Sequence, residues 1–209
     1  MVQSFNLAGV RSAFALLRRP YLLLPHMAVP DIRSIPFDQL RQNGIKYMVF
    51  DKDNCLTAPY IDHIHPEFEV SWNRCKQVFS PENILIVSNS AGTADDACHE
   101  AAERVERALG VSVLRHATKK PGCGSDILVR LADADPSKVA VVGDRLATDV
   151  MLANLNGMFS IWTKDIVTAK GDNAAAAVLR RAEHAIYGVL RQRGIQPPAH
   201  FLYNNKLQQ

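Results

Sequence analysis

Short apolar segments alternate with helical patterns along most of this 209-residue chain, and this alternation constrains the fold more than any other feature. The pattern predicts strands at 45–50, 83–87, 111–114, 139–142 and 158–162. It predicts helices at about 68–79, 94–109, 123–132, 146–156 and 173–193. Thr93 and Asp96 have the spacing of a capping box, and Gly110 and Gly157 are predicted helix ends. The alternation favours an α/β fold with a doubly wound, mainly parallel sheet.

Two aspartates directly follow the first predicted strand. In the segment Tyr47–Thr57, YMVFDKDNCLT, apolar residues lead into Asp51 and Asp53, which are separated by one residue. The carboxyl end of a parallel strand is where open α/β folds bind ligands. Two neighbouring carboxylates repel each other unless a divalent cation or a shared proton relieves the repulsion. The pair therefore suggests a hard-metal site with a nucleophilic carboxylate.

Further polar groups follow this pair in order along the chain. A second apolar strand ends in Ser88-Asn89-Ser90, Lys120 precedes Pro121, and a later strand leads into Asp144, with Asp149 beyond. From about residue 45 to 165, this ordered set resembles the haloacid dehalogenase superfamily of aspartate-nucleophile phosphohydrolases. Its four motifs map onto Asp51 with Asp53, Ser88, Lys120, and Asp144 with Asp149. One departure is Cys55, where the superfamily usually has threonine, which questions a supporting hydrogen bond but not the nucleophile.

The resemblance implies a phosphomonoesterase with assigned roles. Asp51 is expected to attack phosphorus and form an aspartyl-phosphate, while Asp53 acts as acid and then as base. Mg²⁺ is the expected cofactor, held by Asp51, the backbone carbonyl of Asp53 and Asp144. Asp149 is the fourth residue of the predicted metal site and is expected to orient Lys120 or a metal-bound water. Ser88 and nearby amides would donate to phosphoryl oxygens, and Lys120 would stabilise the transferring group.

Composition narrows the class of protein. The length indicates one domain, and a hydrophobic fraction of 47% allows a sizeable core. Four scattered cysteines form no Cys-x-x-Cys pair, so the sequence predicts a reducing compartment without a zinc ribbon or a disulfide framework. The net charge of +3, with no recognisable nucleic-acid motif, argues against a nucleic-acid partner.

The spacing of the motifs predicts an open active site. Only about thirty residues separate the first motif from Ser88, and the stretch from Ser88 to Lys120 is also short. In related enzymes a cap domain that encloses small substrates can be inserted there, and none fits here. We therefore expect a minimal cap or none, and a phosphate carried on a bulky substrate such as a macromolecule or a lipid headgroup.

The first thirty residues form a separate predicted segment. They contain three arginines and no acidic residue before Asp31, and four apolar residues share one helical face: Leu7, Val10, Phe14 and Leu17. No uncharged run reaches the roughly 18 residues that span a bilayer. We predict an amphipathic membrane-associating or targeting segment over 1–30 and a phosphatase domain over 31–209. Cleaved mitochondrial targeting, and packing of the helix on the domain or a neighbouring subunit, remain alternatives.

A closer resemblance rests on three features. The chain resembles the mitochondrial phosphatidylglycerophosphatase family of fungi and plants. The resemblance lies in the first motif, Asp51–Thr57 (DKDNCLT), in the segment that precedes the domain, Leu24–Pro30 (LPHMAVP), and in the basic, apolar N-terminus. The resemblance implies dephosphorylation of phosphatidylglycerophosphate to phosphatidylglycerol on the route to cardiolipin. It implies a peripheral enzyme on the matrix side of the mitochondrial inner membrane, with a phospholipid substrate and a membrane surface as partners.

Several assignments stay open at this level. Asn89 and Arg145 are predicted to bind substrate, and Arg145 is the first candidate for the diester phosphate, followed by Arg115, His116 and Lys119. The helix over 174–193 could cover the sheet, contact lipid or join subunits, so a homo-oligomer is one alternative. Two rival functions remain. One is a soluble phosphatase of the same fold that acts on a phosphoprotein or a small phosphate ester, and the other is a non-enzymatic membrane scaffold.

Overall fold

The computed structural model describes residues 19–168 and 174–205, and within them six parallel strands form one sheet. The strands are β1 Met27–Val29, β2 Tyr47–Phe50, β3 Ile84–Ile86, β4 Ser112–Val113, β5 Val139–Gly143 and β6 Phe159–Thr163. Their order across the sheet is β1-β6-β5-β2-β3-β4. The α/β fold with a parallel sheet is therefore confirmed.

Helices cover both faces of the sheet. They are α1 Phe37–Gln42, α2 Glu69–Phe79, α3 Glu100–Leu109, α4 Gly124–Arg130, α5 Met151–Leu155, α6 Ala174–Gln192 and α7 Phe201–Asn205. A π-helical turn, Leu146–Val150, leads into α5. The two faces are packed by alternate strand residues, since Met48 and Phe50 belong to one buried cluster and Val49 belongs to the other. Among the described helices, none is both long enough and apolar enough to cross a bilayer.

The strand β1 extends the domain further towards the N-terminus than predicted. Met27–Val29 pairs in parallel with Ile161–Thr163, although the boundary was expected at residue 30. Just before it, Leu23 and Leu24 pack against Trp162 in the core. The expected amphipathic helix falls on residues 1–18, which lie outside the described residues.

The start of α3 differs from the predicted capping box. The helix begins at Glu100, and Thr93 does not cap it; the Thr93 hydroxyl donates to the Ser90 carbonyl instead. The carboxylate of Asp96 accepts from the amides of Ala101 and Ala102, across the intervening turn. The predicted helix ends are correct, since Gly110 and Gly157 both have left-handed backbones, with φ of 72° and 71°.

Candidate active site

Three adjacent strands bring the first, second and fourth motifs to one edge of the sheet. Asp51 follows β2 at the centre, Ser88 comes two residues after β3, and Asp144 follows β5. The Asp51 amide donates to the Val142 carbonyl at 2.9 Å, which extends the hydrogen-bond ladder to the predicted nucleophile. These side chains line a cleft of about 320 Å³ that also contains Lys120. Parallel pairing therefore converts motifs that are far apart in the sequence into one site.

Lys120 lies between two carboxylates of this site. Its Nζ is 2.7 Å from Asp51 Oδ1 and 2.6 Å from Asp149 Oδ1. Burial by itself would lower the pKa of Lys120, but the charges of Asp149 and Asp51 outweigh it and hold the pKa well above its usual range. Lys119 instead pairs with the exposed Asp95 on the surface. The structure thus places Lys120, and not Lys119, beside the predicted nucleophile.

Asp51, Asp144 and Asp149 bring carboxylate oxygens within 4.8 Å of one another. Asp144 and Asp149 are buried. Burial and the neighbouring carboxylates raise the pKa of Asp144 to about 8, and burial with Asp51 also raises that of Asp149. Several hard oxygen donors in so small a volume favour the binding of a cation, and oxygen ligands are those that Mg²⁺ takes. The residues present therefore fit the expected metal.

The π-helical turn and a glycine place Asp149 in this cluster. A Cβ added to Gly143 would lie 2.3 Å from Asp149 Cγ, so only glycine at the end of β5 allows the carboxylate to come so close. Asp149 Oδ2 accepts from the backbone amide of Arg145 at 3.2 Å and from the Thr148 hydroxyl at 3.1 Å. Both oxygens of Asp149 are thus oriented, one towards Lys120 and one towards its own turn.

The Asp53 carboxylate lies on the cleft wall, outside the three-carboxylate cluster. Its Oδ1 accepts from Lys52 Nζ at 2.7 Å and from the Tyr60 amide at 3.1 Å. Lys52 is buried and also donates to the Ile61 carbonyl, so it joins the first motif to the following loop. Sequence reasoning missed Lys52, although its place between the two aspartates was a signal.

Ser88 and Asn89 shape the opposite wall of the cleft. Ser88 Oγ lies 3.0 Å from Ser90 Oγ and accepts from the Ser90 and Ala91 amides at 3.1 and 3.3 Å. Asn89 Oδ1 accepts from the backbone amide of Lys120 at 2.9 Å. Asn89 therefore positions Lys120, which is a different contact from the predicted one with substrate.

Arg145, the first candidate for binding the diester phosphate, forms an ion pair with a residue of α6. Its Nε donates to Glu183 at 2.9 Å, and Glu183 also accepts from the amide of Ala147 at 3.0 Å. Arg115 forms an ion pair with Glu106 beside β4. His116 lies 3.0 Å from the Ser88 carbonyl through its Nε2. The structure therefore gives each of these candidates a protein partner, and a contact with substrate remains a prediction.

Arg180 of α6 is the other residue that sequence reasoning missed. It lines the cleft, and its Nε and Nη2 both lie 2.9 Å from Asp144 Oδ2. Arg180 and Glu183 are three residues apart and share one helical face, which was the available signal. Nothing in the sequence indicated that this face would lie on the fourth motif.

Comparisons with known proteins show which family this chain resembles. The family model for mitochondrial PGP phosphatase matches residues 7–168. The mitochondrial phosphatidylglycerophosphatase GEP4 of Saccharomyces cerevisiae is 37% identical over 189 residues, which cover 88% of this chain and 98% of the relative.

Two photosynthetic relatives are equally similar. Phosphatidylglycerophosphate phosphatase 1, chloroplastic, of Chlamydomonas reinhardtii is 37% identical over 96% of this chain and 74% of its own length. Phosphatidylglycerophosphate phosphatase 1, chloroplastic/mitochondrial, of Arabidopsis thaliana is 35% identical over 97% of this chain and 58% of its own length. These matches confirm the resemblance seen in the first motif and the N-terminal approach. The chain belongs to the mitochondrial PGP phosphatase family.

Proposed function

We propose that this chain is an Mg²⁺-dependent phosphatidylglycerophosphate phosphatase, which forms phosphatidylglycerol and inorganic phosphate on the route to cardiolipin. Its family membership and the names of its relatives support the substrate. The observation that carries the chemistry is the position of Asp51, which contacts buried Lys120 and shares a cleft with two further carboxylates.

The first step is attack by Asp51 on the terminal phosphorus. Asp51 Oδ1 already accepts from Lys120 Nζ and from the Lys52 amide at 2.8 Å, which favours Oδ2 as the attacking oxygen. The new bond joins Asp51 to phosphorus while the bond from phosphorus to the glycerol oxygen breaks. Asp53 gives its proton to that oxygen, so the oxygen leaves as a neutral hydroxyl group of phosphatidylglycerol.

The second step returns the enzyme to its starting state. Asp53, now ionised, removes a proton from water, and the water oxygen attacks the phosphorus of the aspartyl-phosphate. The bond between phosphorus and Asp51 breaks, and inorganic phosphate leaves. The ammonium of Lys120 would stabilise the equatorial phosphoryl oxygens in both steps, and Ser88, which lines the same cleft, would donate its hydroxyl to them.

Asp51, Asp144 and the backbone carbonyl of Asp53 would hold Mg²⁺, with Asp149 beside them. The bound ion would neutralise charge between the anionic nucleophile and the anionic phosphate. Two of these carboxylates are buried, and Lys120 and Arg180 lie against the cluster, where they offset part of its negative charge.

The location follows from the substrate and the relatives. Two of the three relatives carry a mitochondrial name, which supports a mitochondrial enzyme, and we propose a peripheral position on the matrix side of the inner membrane. The amphipathic pattern over residues 1–18 would contribute to membrane contact.

The decisive assay is Mg²⁺-dependent phosphate release from phosphatidylglycerophosphate in mixed micelles, compared with glycerol 3-phosphate and an aryl phosphate. Asp51→Asn should abolish turnover, whereas Asp38→Asn, which alters an exposed ion pair with Arg74, should leave it unchanged. A strong preference for the lipid that depends on Asp51 supports the proposal. Equal turnover of the soluble esters would be consistent with the proposed mechanism but would refute phosphatidylglycerophosphate as the substrate. It would favour a soluble phosphatase instead.

A further inference from the structure

Helix α6 has an outward side that is apolar although it faces solvent. Its inner residues Arg180, Glu183 and Leu190 are buried against the domain. On the opposite side, Val178 and Val189 are 63% and 46% exposed, and Ala182 and Ala185 lie between them at helical spacing. A helix on a water-facing surface normally carries polar residues on this side. We call the four residues Val178, Ala182, Ala185 and Val189 the outer face of α6.

The charges around the outer face have one sign. Arg181, Arg191 and Arg193 are exposed. Glu183 is the only acidic residue of the sequence between 174 and 209, and it is buried against Arg145. A helix with an exposed apolar face, whose exposed charged residues are all arginines, has the composition of a helix that lies in the headgroup region of an anionic membrane.

The catalytic cleft opens between α6 and a second exposed apolar group. Arg180 of α6 lines the cleft on one side, and Pro59 and Tyr60 line it on another. Tyr60 is 79% exposed, and the neighbouring Ile61 is also exposed. Tyrosine is enriched where proteins meet the membrane interface, because its ring is apolar and its hydroxyl is polar. The Tyr60 loop therefore gives the rim of the cleft an exposed residue suited to the membrane interface, and Arg180 places the inner side of α6 on the same cleft.

We infer that the outer face of α6 rests on an anionic phospholipid bilayer, with the Tyr60 loop at the cleft rim as a second point of contact. The inference rests on the proposed function for the identity of the lipid that enters the cleft. Docking of a second copy is disfavoured, because facing arginines would repel, whereas anionic headgroups attract them.

The test is co-sedimentation of the full chain with phosphatidylcholine vesicles that contain or lack an anionic phospholipid. Val178→Glu and Val189→Glu each place a negative charge on the outer face. Val70→Glu is the matched control, because Val70 is exposed on α2, outside the proposed surface. We expect each α6 variant to bind anionic vesicles about tenfold more weakly, from lost burial and added repulsion, and Val70→Glu to bind like wild type.

Hydrolysis of an aryl phosphate should be equal in all four proteins, since the substituted residues lie outside the cleft. Hydrolysis of phosphatidylglycerophosphate in vesicles should fall only in the α6 variants. Unchanged vesicle binding by both α6 variants would overturn the inference, as would a change in their molecular mass in solution, which would assign the face to a second copy. If the α6 variants bind vesicles more weakly but wild type does not hydrolyse phosphatidylglycerophosphate, the membrane-binding surface is supported and the proposed function is refuted.

Discussion

Replacing Arg180 by methionine tests whether the buried carboxylate of Asp144 needs a cation. Methionine keeps much of the length of arginine and removes its charge. Both contacts of 2.9 Å to Asp144 Oδ2 are lost, and Asp144 is only 2% exposed. Breaking a buried ion pair by removing one partner costs about 3–5 kcal/mol. Because Asp144 can take up a proton in place of the guanidinium, the cost at neutral pH should lie below this range.

The pH dependence of that cost has a definite sign. Burial and the charges of Asp51 and Asp149 raise the pKa of Asp144 to about 8, while Arg180 lowers it, so Arg180→Met raises it further. A carboxyl whose pKa is raised in the folded state contributes stability at low pH and loses it as pH rises through that pKa. The variant's loss in free energy of unfolding, relative to wild type, should therefore be smallest near about pH 6. It should grow above about pH 8, towards roughly 3 kcal/mol.

The assay is urea unfolding followed by tryptophan fluorescence, since Trp72 and Trp162 are both buried. The assay is repeated once with a chelator and once with Mg²⁺. Mg²⁺ should reduce the loss in free energy of unfolding, because the ion neutralises the same carboxylate as Arg180. Arg115→Met is the control: its partner Glu106 has a lowered pKa, so this deficit should be flat above about pH 6 and insensitive to Mg²⁺. A deficit of Arg180→Met that is equal at low and high pH, with and without Mg²⁺, would refute the reasoning.

Three further predictions concern other groups. Lys120→Met should lower turnover by at least about 100-fold, because a charged donor next to Asp51 is lost; phosphate release within tenfold of wild type would contradict its role. Burial lowers the pKa of His26 to about 4 in the folded protein, so as the pH falls the imidazole becomes protonated in the unfolded chain before it does in the folded one. The free energy of unfolding should therefore fall by up to about 3 kcal/mol between pH 6.5 and 4. His26→Gln should show a shallower loss in the same unfolding assay. Alkylation of the native protein should label Cys98, which is exposed, and spare Cys55, which is buried with a raised pKa; mass spectrometry that finds both labelled would be inconsistent with this fold.

Much of the site could be predicted because its motifs belong to local patterns. Asp51, Ser88 and Asp144 each follow an apolar strand, and parallel strands in one sheet have their carboxyl ends at the same edge. The convergence of these side chains follows from the alternation of strands and helices, without knowledge of any contact distance. The catalytic roles of these residues remain predictions, which the variants above test.

The elements that were missed are short or depend on distant partners. The strand β1 has three residues between two prolines, and its pairing with β6 is what makes it a strand. Asp96 was placed correctly near a helix start, but its carboxylate caps a helix that begins four residues later, because Cys98 and His99 have left-handed backbones. A local pattern cannot reveal such an interruption.

The sequence by itself determined the fold class, the order of the four motifs and the carboxylates that crowd together, because these depend on periodicity and on residues next to strand ends. Only the tertiary structure decided which charge faces which. Arg180 lies on Asp144 and Arg145 lies on Glu183 because α6 packs across the cleft, about thirty residues after the fourth motif. Ion pairs between elements far apart in the chain depend on how those elements pack, and helical spacing alone specifies only a face of the helix, not what that face will contact.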